Sequence, residues 1–135
     1  QTCALPIFSY ATDALMAHIG LDSQNRDASG HSLFTLECHL NFLHEVKEGA
    51  RVEVRTQLLG HDRKRLHIHH ALYLPGSGQA LALSEQMLLH VSLEGPRSVP
   101  FEGEALARVE ALAEAHRALP VPEGVGRVIG LPPLR

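Results

Sequence analysis

Between Ser32 and Leu93, apolar residues recur at every second position in four successive segments, each closed by a turn signal. That period admits little besides antiparallel strands. In the first segment Phe34, Leu36, Cys38, Leu40 and Phe42 fall on one face, with Thr35, Glu37, His39 and Asn41 on the other. Lys47-Glu48-Gly49 turns the chain, and Val52, Val54, Thr56 and Leu58 then alternate with Arg51, Glu53, Arg55 and Gln57. After Gly60-His61-Asp62, the third segment carries Leu66, Ile68, His70, Leu72 and Leu74 on one side. Pro75-Gly76-Ser77-Gly78 is the strongest turn signal of the chain. In the last segment Leu81, Leu83, Glu85, Met87, Leu89 and Val91 alternate with Ala82, Ser84, Gln86, Leu88 and His90. Both of its faces turn apolar toward the end, which predicts an interior place in the sheet.

Helical periodicity flanks this region. Ala11, Leu15 and Ile19 recur at i, i+4 and i+8, which predicts a short helix over Thr12 to Ile19 with Gly20 as its stop. Ser23 to Gly30 is polar and reads as a loop. Leu106, Val109, Leu112 and Ala113 form the stripe of a second helix, Glu104 to Leu119, ended by Pro120. The remainder is rich in Gly and Pro and reads as an irregular tail. Gln1 to Ile7 fits poorly with the rest of the chain: it matches the translation of a sequencing-adapter end and is set aside from fold reasoning as a processing scar. The other reading of it is an apolar lead-in strand broken by Pro6.

Composition narrows the function. A chain of 135 residues suits one domain with a true core. A net charge of −3 argues against a general nucleic-acid binder. No apolar run reaches membrane-spanning length, so no membrane partner is expected. Cys3 and Cys38 form no disulfide framework, which makes the reducing cytoplasm the expected compartment.

Several residues interrupt these patterns. His70 and Glu85 are ionisable groups on apolar faces, costly there unless paired or used. On neighbouring strands both would point toward the helix, with Glu85 fixing a His70 tautomer so that the imidazole activates a water. A buried structural bond, or a parity shift past a bulge, is the competing reading. Arg63, Lys64 and Arg65, flanked by His61, place cations at a hairpin mouth and suit phosphate groups, although a solvated turn guarding a sheet edge has the same composition. Glu37, His39 and Asn41 share a polar face that either lines a shared cleft or meets solvent. Asp13 reads as a solvated helix position, with an acid role as the alternative. His67 and His69 have chelating spacing but no recognisable third and fourth ligand, so no metal is expected. Cys38 reads as a small core residue.

Residues Phe8–Asp22, Leu59–His67 and Ser84–Val91, with Gly124–Pro132 in the tail, resemble the 4-hydroxybenzoyl-CoA thioesterase-like branch of the hotdog superfamily. Within it they are most similar to thioesterases linked to carnitine dehydrogenases. The resemblance implies an α+β hotdog fold over Phe8 to Phe101, an antiparallel sheet wrapped around a central helix, with residues 102–135 as appendage. It also implies a further strand and an Asn-Gly-His-Met type loop before the helix. That loop is where many relatives carry a catalytic carboxylate, so the domain reads as lacking its first strand and the start of the helix. The implied activity is hydrolysis of a short acyl-CoA, such as betainyl-CoA, with no cofactor beyond the CoA of the substrate. His61, Arg63, Lys64 and Arg65 would hold the nucleotide, His70 and Glu85 would catalyse, and Glu37, His39 and Asn41 would line the acyl side. A trimethylammonium group needs a carboxylate or an aromatic face, for which Glu37, Glu85 and Tyr10 are candidates. The implied assembly is a homodimer or homotetramer, since a lone sheet leaves an edge to cover. A hotdog module that only dimerises, or a hydratase of the same fold, are the other readings.

Overall fold

A computed structural model describes residues 4–45, 47 and 49–133. Its elements are α1 (Ala4–His18), α2 (Ser23–Ser29), β1 (His31–Phe42), β2 (Glu53–His61), β3 (Arg65–Tyr73), β4 (Ala80–Ser92), β5 (Arg97–Ser98) and α3 (Gly103–His116). The long strands pair antiparallel in the order β1-β4-β3-β2, and β5 adds to β4. β4 therefore lies inside the sheet, as its two apolar faces predict. β1 and β2 are its outer strands. Glu48 of the first predicted turn, and Gln1 to Cys3 of the opening segment, lie outside the described residues.

Helix α1 begins at Ala4, eight residues before the position its periodicity predicts. Pro6 sits in the first turn, where its missing N–H breaks no intrahelical bond. Phe8 is buried with Leu72, Leu81 and Ala82, and Ile7 packs against that cluster. The helix ends in a Schellman motif: Leu21 N donates to Met16 O at 2.7 Å and Gly20 N to Ala17 O at 3.1 Å, with Gly20 at φ 85°. Leu21 and Met16 then meet in the main core with Leu15, Ile19, Ile68 and Leu88. Val109 brings α3 onto the same core, with Leu106, Leu112 and Ala113 beside it. The predicted loop after Gly20 contains α2 instead. That segment is polar all round, so periodicity carries no signal for it.

The face assignments change in two strands. A bulge between Thr35 and Glu37 shifts the pairing of β1 with β4. Consequently Leu33 packs in the helix-side core, while Thr35, Cys38 and Leu40 line a cleft against α1. Phe34 and Leu36, predicted to face inward, are exposed. In β4 the buried face is the one that looks polar: Ala82, Ser84, Gln86, Leu88 and His90. Register dictates this, because His70↔Ser84, Ile68↔Gln86 and Leu66↔Leu88 are paired and opposed residues share a face. Among the described residues no helix is long and apolar enough to cross a membrane.

These faces predict unequal costs of truncation. Leu88→Ala, in the helix-side core, should destabilise by about 2–5 kcal/mol, whereas Leu36→Ala on the bulge should cost roughly 0.5 kcal/mol or less. Urea denaturation of both variants measures the difference.

Candidate active site

A chain of polar groups runs through the core beneath α1. His70, fully buried, lies between two threonine hydroxyls: Nδ1 is 2.7 Å from Thr56 Oγ1 and Nε2 is 3.0 Å from Thr12 Oγ1. The Thr12 hydroxyl donates to Phe8 O at 3.2 Å, one helical turn back, or to Gln86 Oε1 at 3.4 Å. Its lone pair is left to accept from His70 Nε2–H, and Nδ1 in turn accepts from the Thr56 hydroxyl. Gln86 Nε2 donates to Ser84 Oγ at 3.0 Å, and Ser84 lies 3.7 Å from Cys38 Sγ. The Phe8 ring stacks over the imidazole at 6.0 Å. Burial, with a smaller push from His69, lowers the His70 pKa to about 4, so the ring is neutral near pH 7.

The chain of polar groups opens into a cleft of about 310 Å³ between α1 and β1. Phe8, Thr12 and Asp13 come from the helix, Thr35 and Cys38 from β1, and Gln86 from β4. Asp13 is exposed on the rim and is the one carboxylate among these lining residues. Its place is hidden in the sequence, where it looks like any charged helix position. Cys38, expected in the core, is exposed, because β1 is an outer strand and α1 leaves a cleft above it.

His70 and Glu85 do not form the expected pair. Since His70 opposes Ser84, Glu85 projects from the other face of β4 and opposes His69. Glu85 does hold an imidazole, but that of His67, at 2.6 Å, while its other oxygen accepts the Gly126 N–H at 2.7 Å. Burial pushes the Glu85 carboxyl up, and the Gly126 and His67 bonds outweigh it and hold the pKa below the usual range. Glu37 and His39 line the same outer-face cleft, of about 630 Å³, together with Arg127. Asn41 shares that face opposite Leu83 but does not line the cleft. Tyr10 lies elsewhere, in a groove between α1, β2 and α3. Among the described residues no three metal-binding side chains converge.

The hairpin cations are unequally placed. Asp62 accepts from Lys64 N at 2.9 Å and Arg65 N at 2.7 Å, and pairs with the Arg65 guanidinium at 2.6 Å. The Arg65 side chain, with the turn's N–H groups, brings the Asp62 pKa down to about 2. Arg65 is thus committed to its own turn, and Lys64 Nζ reaches Ser98 Oγ at 3.3 Å. Arg63 is exposed and has no ion-pair partner among the described residues. His61 lines a separate cleft between β2 and α3.

Known proteins are similar to this chain in sequence and in architecture. A family model described as the thioesterase-like superfamily matches residues 2–127. The chain is 95% identical over 131 residues to a betainyl-CoA thioesterase of Pseudomonas aeruginosa, covering 97% of this chain and 82% of that one. It is 46% identical over 122 residues to an L-carnitine dehydrogenase/betainyl-CoA thioesterase of Agrobacterium fabrum, covering 90% of this chain and 25% of that protein. A Staphylococcus aureus protein solved in complex with CoA superposes with a TM-score of 0.88 at 26% identity, covering 98% of this chain and 83% of that one.

The buried imidazole sets a pH dependence. His70 binds a proton more weakly when folded, so its full contribution to stability is present above about pH 6.5 and is lost as pH falls toward 4. The gap of about 2.5 between those values, at roughly 1.4 kcal/mol each, predicts a loss of about 3 kcal/mol from this group. His69 and His90, also lowered by burial, act in the same direction. Urea midpoints measured from pH 7.5 to 4.5 should fall steadily, and His70→Gln should flatten the slope.

Proposed function

Given that the chain belongs to the thioesterase-like superfamily, we propose that it hydrolyses betainyl-CoA to the trimethylammonium carboxylate and free CoA. The near-identity to the Pseudomonas enzyme along almost the whole chain carries this reading. The helix-side cleft offers chemistry to match. Phe8 contributes an aromatic ring, a favourable neighbour for the acyl cation. Asp13 takes the proton of a water whose oxygen bonds to the thioester carbon, and returns it to the sulfur as the C–S bond breaks, so that CoA leaves as the thiol. Protein groups and water suffice for that step. His70 touches no substrate: it positions Thr12, the residue beside Asp13, and thereby the helix that carries both.

The nucleotide falls to the hairpin in this reading. Arg63 and Lys64 meet the phosphates, and Arg65 keeps the turn in shape through Asp62. A second copy of the chain joins at the outer strands, consistent with the exposed Phe34 and Leu36, to give a homodimer or a pair of them. The exposed thiol of Cys38 suits the reducing cytoplasm.

A second site reading rests on the 2.6 Å His67–Glu85 pair, which has the geometry of an oriented base on the opposite face. Kinetics separate the two. Asp13→Asn should lower kcat by roughly 100-fold, both with betainyl-CoA and with the tert-butylacetyl thioester in which carbon replaces nitrogen. If Asp13→Asn is as active as the parent and His67→Asn is not, the base belongs to the outer face. For the hairpin, replacing Arg63 and Lys64 by Ala should raise KM for the CoA ester about tenfold and leave the pantetheine ester unchanged.

A further inference from the structure

On the outer face of the sheet, residues 117–127 form a strap over a further, partly open pocket. Gln57 Nε2 donates to Pro120 O at 3.3 Å, and Gly126 N–H is held by Glu85 at 2.7 Å. Gly124, at φ 82°, lies so close to Leu83 that an added Cβ would be 3.1 Å from its Cδ1. Beneath the strap is a cavity of about 390 Å³, in the size range of small-molecule sites. Ala71 and Leu83 of the sheet and Pro122 of the strap give it apolar walls, with Tyr73 and Glu123 also lining it.

The polar inventory of this cavity is unbalanced. His69 lines it with only 3% of its surface exposed, and its Nε2 is buried without a hydrogen-bond partner among the described residues. An orphan of this kind is costly unless a ligand or another group satisfies it. Burial keeps that imidazole uncharged near neutral pH, so it repels no cation. Arg55 of the wall is paired with Glu53 at 3.1 Å, and Glu123 is the one carboxylate among the lining residues. Tyr73 already accepts one cation on its ring, the Arg55 guanidinium at 4.4 Å from the centroid. A carboxylate, an electron-rich ring and apolar walls together favour a soft organic cation over a metal ion or an anion.

We propose that the cavity beneath the strap binds a small organic cation that also carries a hydroxyl or carbonyl group, with the cation between Tyr73 and Glu123 and the polar group on His69. This site lies on the opposite face of the sheet from the Asp13 cleft, and its occupancy does not depend on thioester hydrolysis. Choline is the probe, and neohexyl alcohol (tert-butylethanol), the same skeleton with carbon in place of nitrogen, is its uncharged control. Titration of the full chain by NMR, following the ring signals of His69 and Tyr73, should give saturable shifts with choline. Binding should be about fivefold weaker for the uncharged control and for Glu123→Gln, an exposed position whose change leaves the fold intact. Tyr73→Leu should weaken binding similarly. An absence of saturable shifts, equal affinity for the two probes, or unchanged choline affinity in both variants would each overturn the proposal.

Discussion

One uncharged imidazole, clasped by a threonine on either side, ties the helix to the sheet. His70 joins β3 to β2 through Thr56 and to α1 through Thr12, all within the core. Removing those hydroxyl partners would leave a buried polar ring unsatisfied, so the contact specifies where α1 can sit more strongly than an apolar contact of the same area would. The placement of Thr12 then fixes that of Asp13 and the opening above β1. The cleft depends on a bond made deep inside the fold.

The sheet divides the molecule into two chemical environments. Its helix side holds the aliphatic core and the neutral polar chain from Thr56 to Cys38. Its outer side holds the hydrogen-bonded pair His67–Glu85 and a strap that covers what would otherwise be an open sheet face. Glu85 serves both the imidazole and the strap backbone, which explains an acidic residue in the interior strand. Such a doubly bonded carboxylate resists protonation, so the strap keeps its anchor at moderately acid pH.

Much of this architecture is legible in the sequence, for identifiable reasons. Strand existence and the interior place of β4 come from period-two alternation, and Gly20 marks the end of α1 because a left-handed C′ position favours glycine. Side-chain direction is less legible. A single bulge after Thr35 reverses the faces of β1, and no residue type there announces it. In β4 the more apolar set of positions is not the core set, because Ser84, Gln86 and His90 are buried with partners of their own. That is why alternation matches Glu85 to His70 when His67 is its partner. The early start of α1 is concealed because Gln1 to Ile7 reads as a processing scar, whereas Ala4 to Ile7 are helical and Pro6 takes a first-turn position.

The clasp requires His70 to stay unprotonated in mildly acid solution. Nitrogen-15 NMR of the histidine rings across pH 7.5 to 4.5 reads it directly. The structure predicts a His70 ring that stays neutral through pH 5, as the Nε2–H tautomer. A His70 signal that titrates near 6.5 would mean that the ring meets water, and the clasp between α1 and the sheet would not exist.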